Sequence, residues 1–243
     1  MSVEIKLQNR NGITLNTANK FVEEDIAITL DQSLFDQDYT IEDGLITRTL
    51  THYYNDRVTT IGENAFRQWT TIEECDFQNV TVVNRLAFYG CTKLKNILLP
   101  NVTTIGEQAF NGCTILEKLK CDLVTTLGSQ AIRGCKNLKY FYSTKLTSIQ
   151  NGCFADCTNL VAIIINSDTV CPLSATNAFN STSIISGTGF IYVKDEFVEQ
   201  YKISTNWSTY ASQIKGLSEL PQDIKEELGL WLLKNFIWQE MMV

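Results

Sequence analysis

The stretch VTTIGEQAFNGCTILEKLKCDL, residues 102–123, returns with substitutions on both sides of itself. Upstream stand VTTIGENAFRQWTTIEECDFQN from Val58 and VTVVNRLAFYGCTKLKNILLPN from Val80; downstream stand VTTLGSQAIRGCKNLKYFYSTK from Val124 and LTSIQNGCFADCTNLVAIIINS from Leu146. Each copy begins 22 residues after the last, and no insertion interrupts the five. A fixed short period of this kind specifies stacked coils, each contacting only its neighbours, so several coils are needed before any is stable.

Aligning the copies sorts their residues into columns. Ile61, Val83, Ile105, Leu127 and Ile149 recur in phase, as do Phe66, Phe88, Phe110, Ile132 and Phe154, and Ile72, Leu94, Leu116, Leu138 and Leu160. These are the expected core rows. Ala65, Ala87, Ala109, Ala131 and Cys153 precede the aromatic column, and a small residue there suits a tight bend, read as a short helical turn, where a bulky side chain would collide with the next coil. The tail of each copy, such as LKNILLP at 94–100, alternates as a half-buried strand does. Each coil therefore offers a strand to a parallel sheet, with neighbours about 4.8 Å apart.

Eight cysteines in 243 residues would suggest a disulfide framework, but their spacing argues otherwise. Cys91, Cys113, Cys135 and Cys157 fill one repeat position, with Trp69 in that place in the first copy. Stacked side chains point parallel, so their Cβ atoms do not converge to the roughly 3.8 Å that a bridge prefers. Buried free thiols are expected. Cys75 and Cys121 fall at inward strand positions, Cys153 replaces the small alanine, and Cys171 has no assigned place.

The pattern V-T-x-I-G-x-x-A-F-x-G-C-x-x-L-x-x-L-x-L-P resembles the BspA-like leucine-rich repeat family over about half the chain. The resemblance implies a β-rich leucine-rich-repeat solenoid over 58–167, with the VTTIG segment in one short strand and the L-x-x-L-x-L segment in another. It also implies adhesion or recognition without catalysis, and no cofactor or catalytic motif to carry over.

The flanks complete an expected division of the chain. Residues 1–40 read as an N-terminal β segment, and GITLNTANKFVEEDIAITL within them is similar to anchoring segments of bacteriophage virion proteins that carry such repeats. Residues 41–57 read as an N-terminal cap strand, 58–180 as the solenoid with an approximate sixth copy, and 181–220 as a C-terminal cap with a strand at 190–193 and a short helix at 196–201. An open solenoid end exposes core and strand edges, so caps are required. Residues 221–243 read as a helix opened by Pro221, with Leu228, Trp231, Leu232, Phe236 and Trp238 among apolar side chains around nearly its whole circumference. Such a helix must be covered on several sides, by its own solenoid or, the favoured reading, in a homo-oligomer or larger assembly. Its Lys234, Asn235, Gln239 and Glu240 speak against a membrane span.

Composition narrows the function classes. A formal charge of −7 without a basic block disfavours nucleic acid as a partner. The N-terminus lacks a basic start followed by an apolar run, so synthesis in the cytoplasm without a signal peptide is expected, with the virion as destination. One cysteine per coil offers no tetrahedral metal site, and the single histidine, His52, has no nucleophile at a telling spacing. Glu73, Glu74 and Asp76 could serve glycoside hydrolysis, but a solvated strand face explains them better. What remains is surface. Outward strand positions run through Glu74 and Asp76, Asn96 and Leu98, Lys118 and Lys120, Tyr140 and Tyr142, then Ala162 and Ile164. Leu98, Lys118, Lys120, Tyr140, Tyr142 and Ile164 form the expected partner-binding face, for a protein or glycan surface or a neighbouring structural protein. The expected function is a non-enzymatic recognition module in a phage particle, with a bacterial adhesin and a glycan-active enzyme as alternatives.

Overall fold

A computed structural model describes residues 28–30, 52–54, 58–227 and 229. The 22-residue period becomes a solenoid whose coils contribute to two walls of parallel strands. In the first wall run β1 (Ile28–Leu30), β3 (Val58–Ile61), β5 (Val82–Val83), β7 (Thr104–Ile105), β9 (Thr126–Leu127) and β11 (Ser148–Ile149), hydrogen-bonded in that order. The second wall is two four-stranded sheets: β2 (His52–Tyr54), β4 (Glu74–Asp76), β6 (Asn96–Leu98) and β8 (Lys118–Lys120), then β10 (Tyr140–Ser143), β12 (Ala162–Ile165), β13 (Phe190–Val193) and β14 (Ile214–Gly216). Within the repeats, partners across each ladder are 22 residues apart, as in Cys75 with Ile97 and Ile97 with Leu119.

The described N-terminal pieces belong to the stack. Ile28–Leu30 pairs with β3 and His52–Tyr54 with β4, so the chain supplies a coil's two strands ahead of the first regular copy. The rest of 1–57 lies outside the described residues.

All members of the three core columns are fully buried. The rings of Phe66, Phe88 and Phe110 stack with centroids 4.9 and 5.1 Å apart and planes within 5°. Offset stacking at this distance follows from the coil spacing and adds to area burial about 0.5–1.5 kcal/mol per pair. Backbone polar groups are paired between coils, and side chains add to the ladder. The hydroxyls of Thr81, Thr103, Thr125 and Thr147 each donate to the carbonyl 22 residues earlier, at 3.0–3.3 Å. The cysteine column does the same inside: Sγ of Cys91, Cys113, Cys135 and Cys157 donates to the carbonyl 25 residues earlier at 2.9–3.2 Å. All eight cysteines are buried free thiols.

The bends are tighter than helical turns. Amides of Ala65, Arg67 and Trp69 donate to carbonyls three residues back, while those of Phe66 and Gln68 donate to Ala87 and Tyr89 of the next coil. Left-handed residues, such as Leu86 and Gly90, separate the successive turns. The Ile-Gly glycines, read from sequence as turn residues, serve a different purpose. A Cβ on Gly128 would lie 2.6 Å from the Glu107 amide nitrogen and 2.7 Å from the Gly106 carbonyl carbon, so the coils could not stack at this spacing. Gly128→Ala is expected to destabilise the chain by about 1–3 kcal/mol, read as a lower urea midpoint with an unchanged slope.

After Asn166 the period relaxes, with a single bridge from Ile149 to Leu173 continuing the first wall. A short helix, α1 (Val198–Ile203), and the 3-10 turns around Trp207 then close the end. Cys171 sits at the centre of this closure. Its amide donates to Tyr201 Oη at 2.8 Å and its carbonyl accepts from Trp207 Nε1 at 2.6 Å.

Candidate interaction face

Because strand side chains alternate, the second wall presents two outward columns. His52, Glu74, Asn96 and Lys118 are in register in one, and Asp76, Leu98 and Lys120 in the other. On the C-terminal sheet the same columns continue as Tyr140, Ala162 and Phe190, and as Tyr142, Ile164, Tyr192 and Lys215.

The chain covers the C-terminal half of this face with its own residues. Gly216 packs its backbone against the Asp195 carboxylate, which accepts from the Ser218 amide at 3.2 Å and from the Ser218 hydroxyl. From that fixed point Leu217, Leu220 and Ile224 lie over Ala162, Ile164, Tyr192 and the partly buried Tyr140, Tyr142 and Phe190, forming a hydrophobic cluster separate from the core. Residues 222–227 are helical. Burial, then the charges of Glu227 and Asp223, raises the Tyr140 hydroxyl above its ordinary value. Burial, then Glu219 and Asp223, does the same to Tyr192. The acids at 219, 223 and 227 thus follow the tyrosines from β13 back to β10.

Two expected face residues are buried in the structure. Ile164 is 1 % exposed because Leu220 and Ile224 cover it, so it faces the chain's own C-terminal segment and not solvent. Lys120 is 8 % exposed, and its charge acts on the neighbouring Asp122 carboxyl, which burial raises and Lys120 lowers. Tyr140, Tyr142, Leu98 and Lys118 are all half-buried; the two tyrosines pack against the covered strip, and Leu98 and Lys118 lie beyond it. Leu228, Trp231, Leu232, Phe236 and Trp238 lie outside the described residues.

The acidic strand carries structural partners. Glu74 accepts from Asn96 Nδ2 at 2.9 Å and stands 3.5 Å from His52 Nε2. Asp76 accepts from Gln78 Nε2 at 2.6 Å; burial raises its carboxyl, and that bond partly offsets the rise. Glu74 is thereby tied to its cross-strand neighbours, which supports register, whereas the Asp76 bond is local to its own coil. Among the described residues, no three His, Cys, Asp or Glu side chains group in a way that could hold a metal ion. Among them also, no helix is long and apolar enough to cross a membrane.

The model of the BspA type leucine rich repeat region matches residues 59–186 in six copies, which is more than half of the chain. The chain belongs to the BspA-type leucine-rich repeat family. The sixth BspA-type copy is the relaxed coil after Asn166. The match begins at residue 59, so the likeness drawn for residues 1–30 has no counterpart in it. No curated protein matches the chain. Among solved structures, the pneumococcal vaccine antigen PcpA aligns with a TM-score of 0.55 at 19 % identity, over 69 % of this chain and 40 % of that one. A leucine-rich repeat protein from Bacteroides ovatus aligns at 0.42 and 19 % identity, over 58 % and 47 %. A leucine rich cell surface protein from Faecalibacterium prausnitzii aligns at 0.40 and 21 % identity, over 70 % and 48 %. The chain thus spans less than half the length of each of these three structures. The likeness to PcpA shows the shared solenoid fold.

Proposed function

We propose that this BspA-type solenoid is a non-enzymatic recognition module that binds a protein or glycan surface through the outward face of β4, β6 and β8. The observation that carries this reading is the division of the second wall: the chain's own 217–224 segment packs over the C-terminal half, while Leu98 and Lys118, half-buried like Tyr140 and Tyr142, lie outside that cluster. Tyr140 and Tyr142 form the margin of the site. A flat, regular ladder of mixed polar and apolar side chains suits a broad surface better than a small molecule. Leu98→Asp combined with Lys118→Glu is expected to lower binding to intact bacterial cells or purified cell-wall glycan about tenfold or more, with melting temperature unchanged. Unchanged binding would remove this face from consideration. Glycan cleavage that disappears in Glu74→Gln with Asp76→Asn would favour the enzyme alternative.

Two settings fit such a module. The resemblance of residues 1–30 to anchoring segments favours a bacteriophage particle, tested by mass spectrometry of purified particles. The family and the likeness to PcpA, described as a vaccine antigen, favour a bacterial adhesin, tested by protease treatment of intact cells.

A further inference from the structure

The positive charge of this acidic chain is gathered in one part of the stack. Residues 92–145 hold eight Lys and Arg against three Asp and Glu, while the rest of the chain holds twelve against twenty-four. The basic stretch includes the second-wall strands β6, β8 and β10. Its Arg133 is turned to Asp156 at 2.9 Å; the other seven cations are lysines on the second wall or in the turns at its borders. Lys95 stands 3.7 Å from Glu117, Lys120 acts on Asp122, and Lys145 acts on Asp168. Lys93, Lys118, Lys136 and Lys139 enter no ion pair among the described residues, and all but the half-buried Lys118 are exposed. Acids bound this band at both ends along the solenoid axis. The coil before β6 carries Glu73, Glu74 and Asp76, and the far side carries Glu219, Asp223 and Glu227 around Tyr192 and Tyr140. From β6 to β10 is two coil spacings, about 10 Å. The band is therefore short along the axis and long across it, from the turns at Lys93 and Lys136 over the strands to Lys145.

We propose that this band binds a single chain of an anionic polysaccharide laid across the coils, parallel to the strands. The inference rests on the recognition reading above and names the chemical class of its ligand. Acids on the flanking coils repel a polyanion that runs along the axis, so the transverse path is the favourable one. A DNA duplex is too broad for it. Duplex phosphates flank a major groove about 12 Å wide, so a duplex seated on the lysines sets phosphates over Glu74 or Glu227. One glycan chain is narrow enough to keep its charges within the band. The half-buried Tyr140 and Tyr142, which follow Lys139 on β10, add the mixed apolar and polar contact that sugar rings accept.

Titration of the full chain with dextran sulfate, neutral dextran of the same length and duplex DNA tests the assignment. Dextran sulfate is expected to bind and neutral dextran not. With four lysine contacts, each adding about 0.7 to the salt slope, binding should weaken roughly fiftyfold between about 50 and 200 mM salt. Lys136→Glu with Lys139→Glu should weaken it about tenfold or more at low salt and flatten the salt dependence, with melting temperature unchanged. Lys202→Glu with Lys225→Glu makes the same change in net charge outside the band and should shift affinity by less than about threefold. Absence of dextran sulfate binding overturns the proposal, as does an equal loss in both pairs of variants. Duplex DNA bound as tightly as dextran sulfate overturns the choice of a glycan. If dextran sulfate fails while Leu98→Asp with Lys118→Glu still abolishes binding to cells, the anionic ligand falls and the recognition face stands.

Discussion

Raising the pH above about 9 is expected to unfold the solenoid within one or two pH units, with thiolate absorbance and loss of circular dichroism appearing together. Burial lifts Cys75, Cys113, Cys121, Cys135 and Cys153 well above the ordinary thiol value of 9.0, and lifts Cys91 and Cys171 to about 12. A raised thiol keeps its proton in the fold and loses it in the unfolded chain. The stabilisation is therefore complete below the unfolded value and drains away as pH rises from there toward the folded value. Between its unfolded and folded values each such group contributes a slope of at most about 1.4 kcal/mol per pH unit, so the limit for seven together is about 10 kcal/mol per unit. That is comparable with the whole stability of an ordinary domain, about 5–15 kcal/mol. Buried Tyr201 and Tyr210, raised first by burial, add to the fall at higher pH. Thiolate absorbance that rises while the dichroism stays native would show that the thiols ionise inside the fold.

The same columns explain what could be read from sequence. A core position in a solenoid is set by its neighbours 22 residues away, so Ile61, Phe66 and Ile72 announce themselves by recurrence, and the cysteine column is legible for the same reason. Recurrence says less about the outside. Alternation places Ile164 and Lys120 on the outward side of their strands, which is correct for the coil alone. It carries no sign of the segment 217–224 that returns over β12. Gly106 and Gly128 look like turn residues in one copy, and only stacking reveals that each faces the preceding coil's backbone. Cys171 is unreadable because its partners, Tyr201 and Trp207, lie 30 and 36 residues downstream outside any repeat. The 181–220 region shows its strand through Phe-Ile-Tyr-Val, but the clamp it builds is a one-off contact with no period to betray it.

Trp207→Ala is expected to cost about 3–5 kcal/mol and to free the C-terminal coils before the rest of the stack melts. Trp207 is 0 % exposed; its ring lies 5.9 Å from Phe179, the last aromatic of the stacked column, and 5.2 Å from Tyr201. Truncation leaves a cavity at the end of the core and strands the Cys171 carbonyl, an additional cost of about 1–3 kcal/mol if water does not reach it. A solenoid transmits such damage locally, because each coil is held by nearest neighbours. Hydrogen exchange should therefore lose protection first in β12, β13 and β14, while β5, β7 and β9 stay protected. Trp207→Phe separates the two contributions: it keeps an aromatic ring against Phe179 but removes the donor to Cys171, so about 1–2 kcal/mol of loss is expected. Uniform loss of protection along all coils in Trp207→Ala would mean that the stack melts as one unit and that Trp207 is no more than another core residue.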